Sequence, residues 1–495
     1  MRILIIILFE IALCSSPYIS LENTELYSII EYESLLKNND TGIFILNQPY
    51  KIHQVNTLLS PDSTFTNIFN EDNYWNDKSN EKINIRFRPS LNHYQSKDNN
   101  TDYVGFNLDG VIRISDAFLV NEIELDEKFK YDIDFHGDSS EWLMGYFNSS
   151  YAIYKKDALE LFAGRVSRNF GALNDYGLIL SDNPYAFDHY GFSLVGNRME
   201  YSFYTTRLDD VLAIDTQGKT IPIDSVSSSH RFWAIQRLDY KINNRFQIAL
   251  SEATIYGGPD QQFVASYLNP THFFYAAQRN QNIQLNGFWQ INIFYKPASG
   301  VGLYIDLFAD DIIVNNEPGI NDRGKHPDRL GILVKASYAK INKTLSSLRY
   351  VRIWNETYTS FRTFENYTYF NKGIGYPRNS YESIKYNHTF LNYLPTFIGL
   401  SIEIWRNGNR NLISAFHGEV NVFPVTPVLQ GITFNMNAST LWEKIKYVAY
   451  MEMIYKPESW NKSVLVIDID ENIDFKDVAF EVGINFLYNF NYKKL

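Results

Sequence analysis

Phe480-Glu481-Val482-Gly483-Ile484-Asn485-Phe486-Leu487-Tyr488-Asn489-Phe490-Asn491-Tyr492, near the end of the chain, is the stretch whose reading decides the fold. Every even-numbered residue in it is apolar or aromatic, and the odd ones are mostly polar or small. Successive side chains on a strand point to opposite faces, so the stretch has one greasy and one wet face. Its steps of roughly 3.3 Å, tilted by about 40°, rise roughly 30 Å, enough to cross the apolar band of an outer membrane. No charge falls on the greasy face, where Arg or Lys at mid-depth costs about 2–4 kcal/mol. A final strand of this kind is a hallmark of bacterial outer-membrane barrels and implies the barrel-insertion machinery as a partner. Here Lys493-Lys494-Leu495 follows the aromatic.

The same alternation runs upstream. Ile398, Leu400, Ile402 and Ile404 alternate, as do Ile445, Tyr447, Ala449, Met451, Met453 and Tyr455, with Lys444, Lys446 and Glu452 opposite. Aromatics make up 16% of the chain, with 36 Tyr and 35 Phe. No run after the N-terminus approaches the roughly 18 apolar residues a membrane helix needs. Tyr, Phe and Asn in excess with modest hydropathy suit strands that face lipid on one side and a polar lumen on the other. The net charge of −11 excludes nucleic acid as an expected partner, because phosphate binding needs a basic surface.

Residues 1–20 read as a signal peptide: Arg2 supplies the positive end, and Ile3–Phe9 with Ile11–Leu13 the apolar segment, which Glu10 interrupts. Cys14 is the only cysteine, so the mature chain is expected to hold no disulfide. Ile11-Ala12-Leu13-Cys14 half-resembles a lipoprotein signal, against which the bulky Leu13 argues. Residues 21–78 read as a small periplasmic helical segment or plug, or as a partly ordered extension. Leu26, Ile29, Ile30, Tyr32, Leu35 and Leu36 fall at helical spacing behind Thr24 as N-cap, and a second short helix is expected from Pro49-Tyr50 to Leu58-Leu59.

Residues 79–495 are then the barrel, an all-β transmembrane antiparallel sheet. Short Gly/Asn/Pro-bearing turns are expected near Ser115-Asp116, Lys156-Asp157, Gly196-Asn197, Asn243-Asn244, Pro297 to Gly300, Asn342-Lys343, Asn407-Gly408 and Pro457 to Asn461. With both termini periplasmic, eight turns imply about 18 strands; without the turn at Ser115, the alternative is 16. Long outer loops are expected at 171–189, 209–230, 257–282, 311–328 and 355–392.

Between residues 140 and 385 the chain resembles the Wzi-type capsule-assembly proteins. The resemblance rests on Gly164-Arg165, Asn169-Phe170-Gly171, Leu178-Ile179-Leu180-Ser181-Asp182-Asn183 with Phe187-Asp188, and His230-Arg231. It continues through Ser251-Glu252, Tyr256-Gly257, Tyr267-Leu268-Asn269-Pro270, Asp306 and Asp310-Asp311. Each motif is short, and their common order carries the likeness; Phe170 stands where Trp is common. The resemblance implies an outer-membrane barrel that helps retain surface polysaccharide, with no cofactor.

Arg165 and Arg168 beside Asp182 and Asp188 are candidates for a charged cluster that either braces the lumen or grips an acidic polysaccharide. Glu252, Asp310 and Asp311 are further candidates. Trp354 and Tyr358, with Phe361, Phe364, Tyr367, Tyr369 and Phe370, offer ring faces for sugars or anchors at the membrane interface. Asp468, Asp470, Asn472 and Asp474 have the spacing of a calcium loop, but Ile473 and Ala479 occupy the positions that need Gly and Glu. No Gly-x-Ser-x-Gly elbow and no metal-ligand spacing of histidines is present. The rivals to polysaccharide retention are a porin or solute channel, a barrel enzyme acting on lipid or glycan, and a secreted soluble β protein.

Overall fold

The computed structural model describes residues 17–37, 42–59, 83–96, 100–132, 135–137, 144–212, 228–259, 261–281, 285–311, 329–393, 396–415, 422–442, 445–456, 478–488 and 490–491. Residues 1–16, which hold Cys14 and most of the segment read as a signal peptide, lie outside them, as do the calcium-like run and the terminal Lys493-Lys494-Leu495. Residues 17–20 of that expected signal are described, and Tyr18 and Ile19 are buried in the interior, so the chain from 17 onward packs as part of the N-terminal segment. Eighteen long strands form the wall. They are β1 (Ile83–Ser96), β2 (Asn100–Ile114), β3 (Ala117–Asp126), β4 (Met144–Lys156), β5 (Leu159–Arg165) and β6 (Asp188–Val195). Then come β7 (Met199–Arg207), β8 (Ser228–Asn243), β9 (Phe246–Gly258), β10 (Leu285–Ala298), β11 (Val301–Asp311) and β12 (Arg329–Lys340). The last are β13 (Thr344–Ile353), β14 (Tyr381–Phe390), β15 (Thr396–Asn407), β16 (Leu429–Trp442), β17 (Ile445–Tyr455) and β18 (Val478–Tyr488).

Each strand pairs antiparallel with its sequence neighbours. β18 then pairs with β1, from Ser90 opposite Leu487 to Ser96 opposite Glu481. The sheet therefore returns on itself, which is what hydrocarbon demands of a strand structure, since an open edge would leave its amides unpaired.

The side chains are distributed inside out. Leu250, Ile291, Leu307, Leu348, Ile384 and Ile402 are exposed on the outer face. Arg237, Asn292, Asp306, Lys335 and Arg349, on the alternate positions of the same sheet, are buried inside. A water-soluble sheet pair would reverse this order. Lipid on the outside explains it, and no helix among the described residues is long and apolar enough to cross a membrane.

Strand number agrees with expectation, but two turns do not. Asn407 ends β15 and Gly408 opens a long connection to β16, while Pro457–Asn461 lies outside the described residues within the connection from β17 to β18. The short links that complete the count are residues 391–395 and 443–444. Asn-Gly marks where a strand ends but not which end of the barrel it has reached.

The lumen is occupied. Helix α1 (Thr24–Leu36), capped by the Asn23 side chain accepting from the Leu26 amide (3.1 Å) rather than by Thr24, enters at the short-turn end. Its last carbonyls, which have no partner within a helix, are taken up by the wall. Gly300 N donates to the Leu35 carbonyl (2.8 Å), and the Lys296 ammonium to that of Ser34 (3.1 Å). Helix α2 (Ile52–Leu58) follows, and Lys51 just before it lies 3.2 Å from both Glu160 on β5 and Glu200 on β7.

Candidate functional site

Two connections fold inward from the opposite end to meet the N-terminal segment. In the β5–β6 connection, Asn169 and Gln48 exchange backbone hydrogen bonds (3.0 and 3.1 Å), and the Gln48 side chain donates to the Gly171 carbonyl (3.1 Å). Asn169 also holds its own loop, accepting from Gly177 N (2.7 Å) and donating to the Asp175 carbonyl (2.8 Å). In the β13–β14 connection, Tyr358 donates to the Leu178 carbonyl (2.6 Å) and Tyr367 to that of Ile179 (2.7 Å), while Ser181 N donates to Ile374 (2.9 Å). The block from Leu178 to Ser181 is thus the seam between the two loops. Arg231 on β8 clamps the second loop, donating to the carbonyls of Phe364 (3.0 Å) and Thr368 (2.9 Å).

The expected cluster of two arginines and two aspartates divides. Arg165, the last residue of β5, pairs with Asp188, the first of β6 (2.8 Å). Arg168 turns away into a buried aromatic cage, 3.9 Å over Tyr204 and 4.6 Å over Phe162. Its Nε donates to His189 Nε2 (2.8 Å), which fixes that imidazole as neutral with its proton on Nδ1, facing the Phe187 carbonyl (2.9 Å). Asp182 belongs to neither pair and opens onto a cavity.

The other expected residues are dispersed. Asp310 is buried, accepts from Tyr358 N (2.7 Å) and lies 3.3 Å from Arg329, so it anchors the inward loop. Asp311 pairs through its backbone with Arg329, and its side chain is outside the described set. Tyr358 is fully buried and offers no free ring face, as are Phe364 and Tyr367. Trp354 sits on the rim against Arg352 (4.8 Å) and near Phe423. Glu252 faces outward and is covered by an external loop.

Gly164 explains why a glycine precedes Arg165. Its φ is +126°, and a Cβ would lie 2.3 Å from the Ser150 carbonyl oxygen and 2.6 Å from Tyr151 Cα. Gly164→Ala is expected to cost about 1–3 kcal/mol from backbone strain alone, before the clash. Denaturant titration in detergent checks it; a loss below about 0.5 kcal/mol, the usual size for a neutral surface change, would contradict this geometry.

A cavity of about 360 Å³ lies between the plug and the inner wall at β3–β4, a volume in the range of small-molecule sites. Tyr146, Tyr185 and Phe129 give it an aromatic side. Glu22, Glu124, Asp132 and Asp182 face Lys128 and Lys372 across it, leaving an excess of carboxylates. Glu124 is held by Lys128 (2.5 Å) and Asn148 (3.2 Å); Tyr185 bonds Asp132 and carries the Lys372 ammonium 4.7 Å over its ring. Glu22 and Asp182 are exposed to the cavity, with protein packed closely around them. Burial, with Glu124 beside it, pushes the Glu22 carboxyl up to about 7, and burial pushes Asp182 up to about 6. Sequence reasoning found only Asp182 here. The alternation Glu122, Glu124, Asp126 on the wet face of β3 was the available signal. Among the described residues no three His, Cys, Asp or Glu are placed to hold a metal ion.

No family profile matches the chain, and no curated protein matches it by sequence. Solved structures do match. Wzi, an outer-membrane protein involved in group 1 capsule assembly in Escherichia coli and described as a carbohydrate-binding β-barrel, superposes with a TM-score of 0.59 at 10% identity, covering 95% of this chain and 99% of Wzi. This chain has the fold of the Wzi barrel. OccD3 of Pseudomonas aeruginosa superposes with a TM-score of 0.47 at 8% identity (83% of this chain, 91% of that one). OpdK of the same organism gives 0.47 at 10% identity (82% and 98%). The Wzi likeness extends over the N-terminal segment as well as the wall, since it covers nearly all of both chains.

Proposed function

We propose that this protein is a non-enzymatic outer-membrane barrel that retains surface polysaccharide, and that the cavity beside β3 and β4 accepts a saccharide unit. The occupied lumen carries this reading: residues 17–37 and 42–59 from one end and two loops from the other stand where a diffusion channel would need open space. The Wzi likeness supports it at the level of fold. The cavity combines ring faces with carboxylates and amides, the groups that stack on and hydrogen-bond to sugars. Its excess of carboxylates favours neutral saccharides and disfavours uronate-rich chains. Arg165 and Asp188 at its margin position Tyr146, over which the Arg165 guanidinium lies 5.9 Å.

Purified protein in detergent is expected to bind neutral glycans, and Tyr185→Ala with Asp182→Asn to abolish that binding while the barrel stays folded. Acidic glycans are expected to bind weakly at pH 8 and better at pH 5. The sign follows from the raised carboxyls: as pH falls through about 7 and then about 6, Glu22 and Asp182 take up protons and their repulsion of an anion disappears. No glycan binding at any pH would overturn the proposal.

A solute channel is the second reading, and one observation favours it. Asn437, on the inner face of β16, stays exposed, so part of the wall is not covered by the plug. Planar-bilayer conductance separates the two. Steady single-channel currents from the intact protein would replace the anchor with a porin.

A further inference from the structure

On the outer wall, three polar side chains occupy positions where lipid-facing residues are expected: Tyr201 on β7, Gln236 on β8 and Glu252 on β9. Gln236 and Glu252 are directly opposite each other, one outward position above Leu238 and Leu250. A carboxylate on a lipid-facing wall is costly unless it is satisfied by protein. Here the connection from β9 to β10 folds down over the outside of the barrel and satisfies all three. Tyr201 donates to the Pro270 carbonyl (2.7 Å), and Gln236 to that of His272 (3.0 Å) and to Glu252 (2.6 Å). Glu252 accepts from the Phe274 amide (3.1 Å) and the Tyr275 amide (3.2 Å), the first two of helix α3 (Phe274–Gln281). Above this level Phe232, Ala234 and Tyr256, also outward, are buried beneath Tyr267, Phe274 and Ala277.

The lower edge of this external segment is aromatic and bare. Phe273 is 72% exposed and Tyr275 46%, the latter with its ring 5.8 Å from that of Trp289 on β10. Directly beneath, Leu250 is 50% exposed and faces Ile291, also bare, across the ladder. The apolar surface of the edge is thus continuous with the lipid-facing wall. From Asn244 in the short turn up to Glu252 the strand climbs about 20 Å, which puts the edge near the top of an apolar band about 25 Å tall. On β13, β14 and β15 the outer wall turns polar at a similar height, where Glu382 accepts from Arg406 Nε (2.7 Å) beside Arg352 (3.8 Å).

We propose that residues 261–281 form a membrane-interface wing, whose Phe273 and Tyr275 enter the outer leaflet at the boundary between headgroups and acyl chains. Glu252 and Gln236 are its latch. Aromatic rings gather at this depth because one part of the residue is apolar while its backbone or hydroxyl stays hydrated. The inference rests on the lipid-facing wall and is independent of the saccharide reading.

Spin labels at Phe273→Cys and, separately, Tyr275→Cys test it, in the full mature protein inserted in phosphatidylcholine vesicles. Leu250→Cys serves as the lipid reference and Asn342→Cys, in a short turn, as the water reference. The expected result is preferential relaxation by oxygen over a water-soluble nickel chelate at 273 and 275, close to that at 250. Adding Glu252→Ala should free the wing and shift both labels toward the water reference. Water-like accessibility at both sites in the otherwise native protein would overturn the proposal. So would inaccessibility to both relaxants, which would put a protein partner or a second copy over the edge instead of lipid.

Discussion

Arg237→Ala is expected to destabilise the barrel by about 3–5 kcal/mol, the cost of leaving a buried carboxylate without its cation. Arg237 is 1% exposed on the inner face of β8. Its guanidinium forms a two-pronged pair with Asp239 (2.8 Å twice) and donates to Asn292 (2.7 Å), Ser251 (3.1 Å) and the Leu46 carbonyl (3.1 Å), with its central carbon 4.5 Å from the centre of the Phe170 ring. One side chain therefore ties three strands of wall to the N-terminal segment and to the first inward loop. Without it Asp239 keeps the hydrogen bond from the Asn47 side-chain amide (3.2 Å) but loses its cation. Arg237→Lys should recover part of the loss, because a single ammonium restores the charge but not the fork. Urea or guanidinium titration in micelles, followed by tryptophan fluorescence, measures it. A change under about 1 kcal/mol, the size of an exposed pair, would mean that water reaches this site and the plug is not seated there.

The second large effect is expected at Asp175, where the inward loop meets the wall between β12 and β13. Its carboxylate lies 3.3 Å from the Lys335 ammonium and 3.0 Å from Arg349. Lys335 also faces Glu31 of α1 (3.4 Å), and Glu31 accepts from Ser337 (2.6 Å). Arg349 is held on its other side by Glu403 of β15 (2.5 Å). The chain of alternating charges runs from helix to wall to loop and back to wall, buried from Glu31 to Arg349 and half-buried at Glu403. Asp175→Ala removes the carboxylate that Lys335 and Arg349 share and with it the loop's link to the wall, and about 3 kcal/mol of loop anchoring should go with it. The readout is conductance: transient openings should appear in planar bilayers where the parent protein shows none. A cycle with Arg349→Met should recover about 0.5–3 kcal/mol, because the two groups act through one contact. Strict additivity of the two substitutions, or a silent bilayer with an unchanged unfolding midpoint, would remove Asp175 from its role as the loop's anchor.

The strands were legible in the sequence because alternation with a period of two is a property of neighbours. Ile398, Leu400, Ile402 and Ile404 face outward on β15 in the order the pattern demands. Six of the eight expected turns fall where short links occur. The other two were misplaced because the link Glu443-Lys444 carries no Gly, Asn or Pro and residues 391–395 only a separated Asn392 and Pro395, while the stronger pair Asn407-Gly408 stands at the opposite end of a strand. The site was less legible. Arg165 and Arg168 are three residues apart, yet one completes a ladder pair with Asp188 and the other enters an aromatic cage, because the strand ends between them. The residue types were right for a charged lumen; their partners could not be read from spacing. The buried state of Tyr358 was hidden for the same reason, since its contacts are with Leu178 and Asp310.

By itself the sequence determined that alternate side chains along each segment would be greasy and wet, and hence that lipid would have to cover one face of the wall. That information sits in residues two apart. Closure of the sheet through β1 and β18, the seating of α1 against Lys335 some three hundred residues away, and the folding of residues 261–281 outside the barrel were decided only in three dimensions. Each depends on groups brought together by the completed cylinder, and no local pattern specifies which distant charge will be there to meet them.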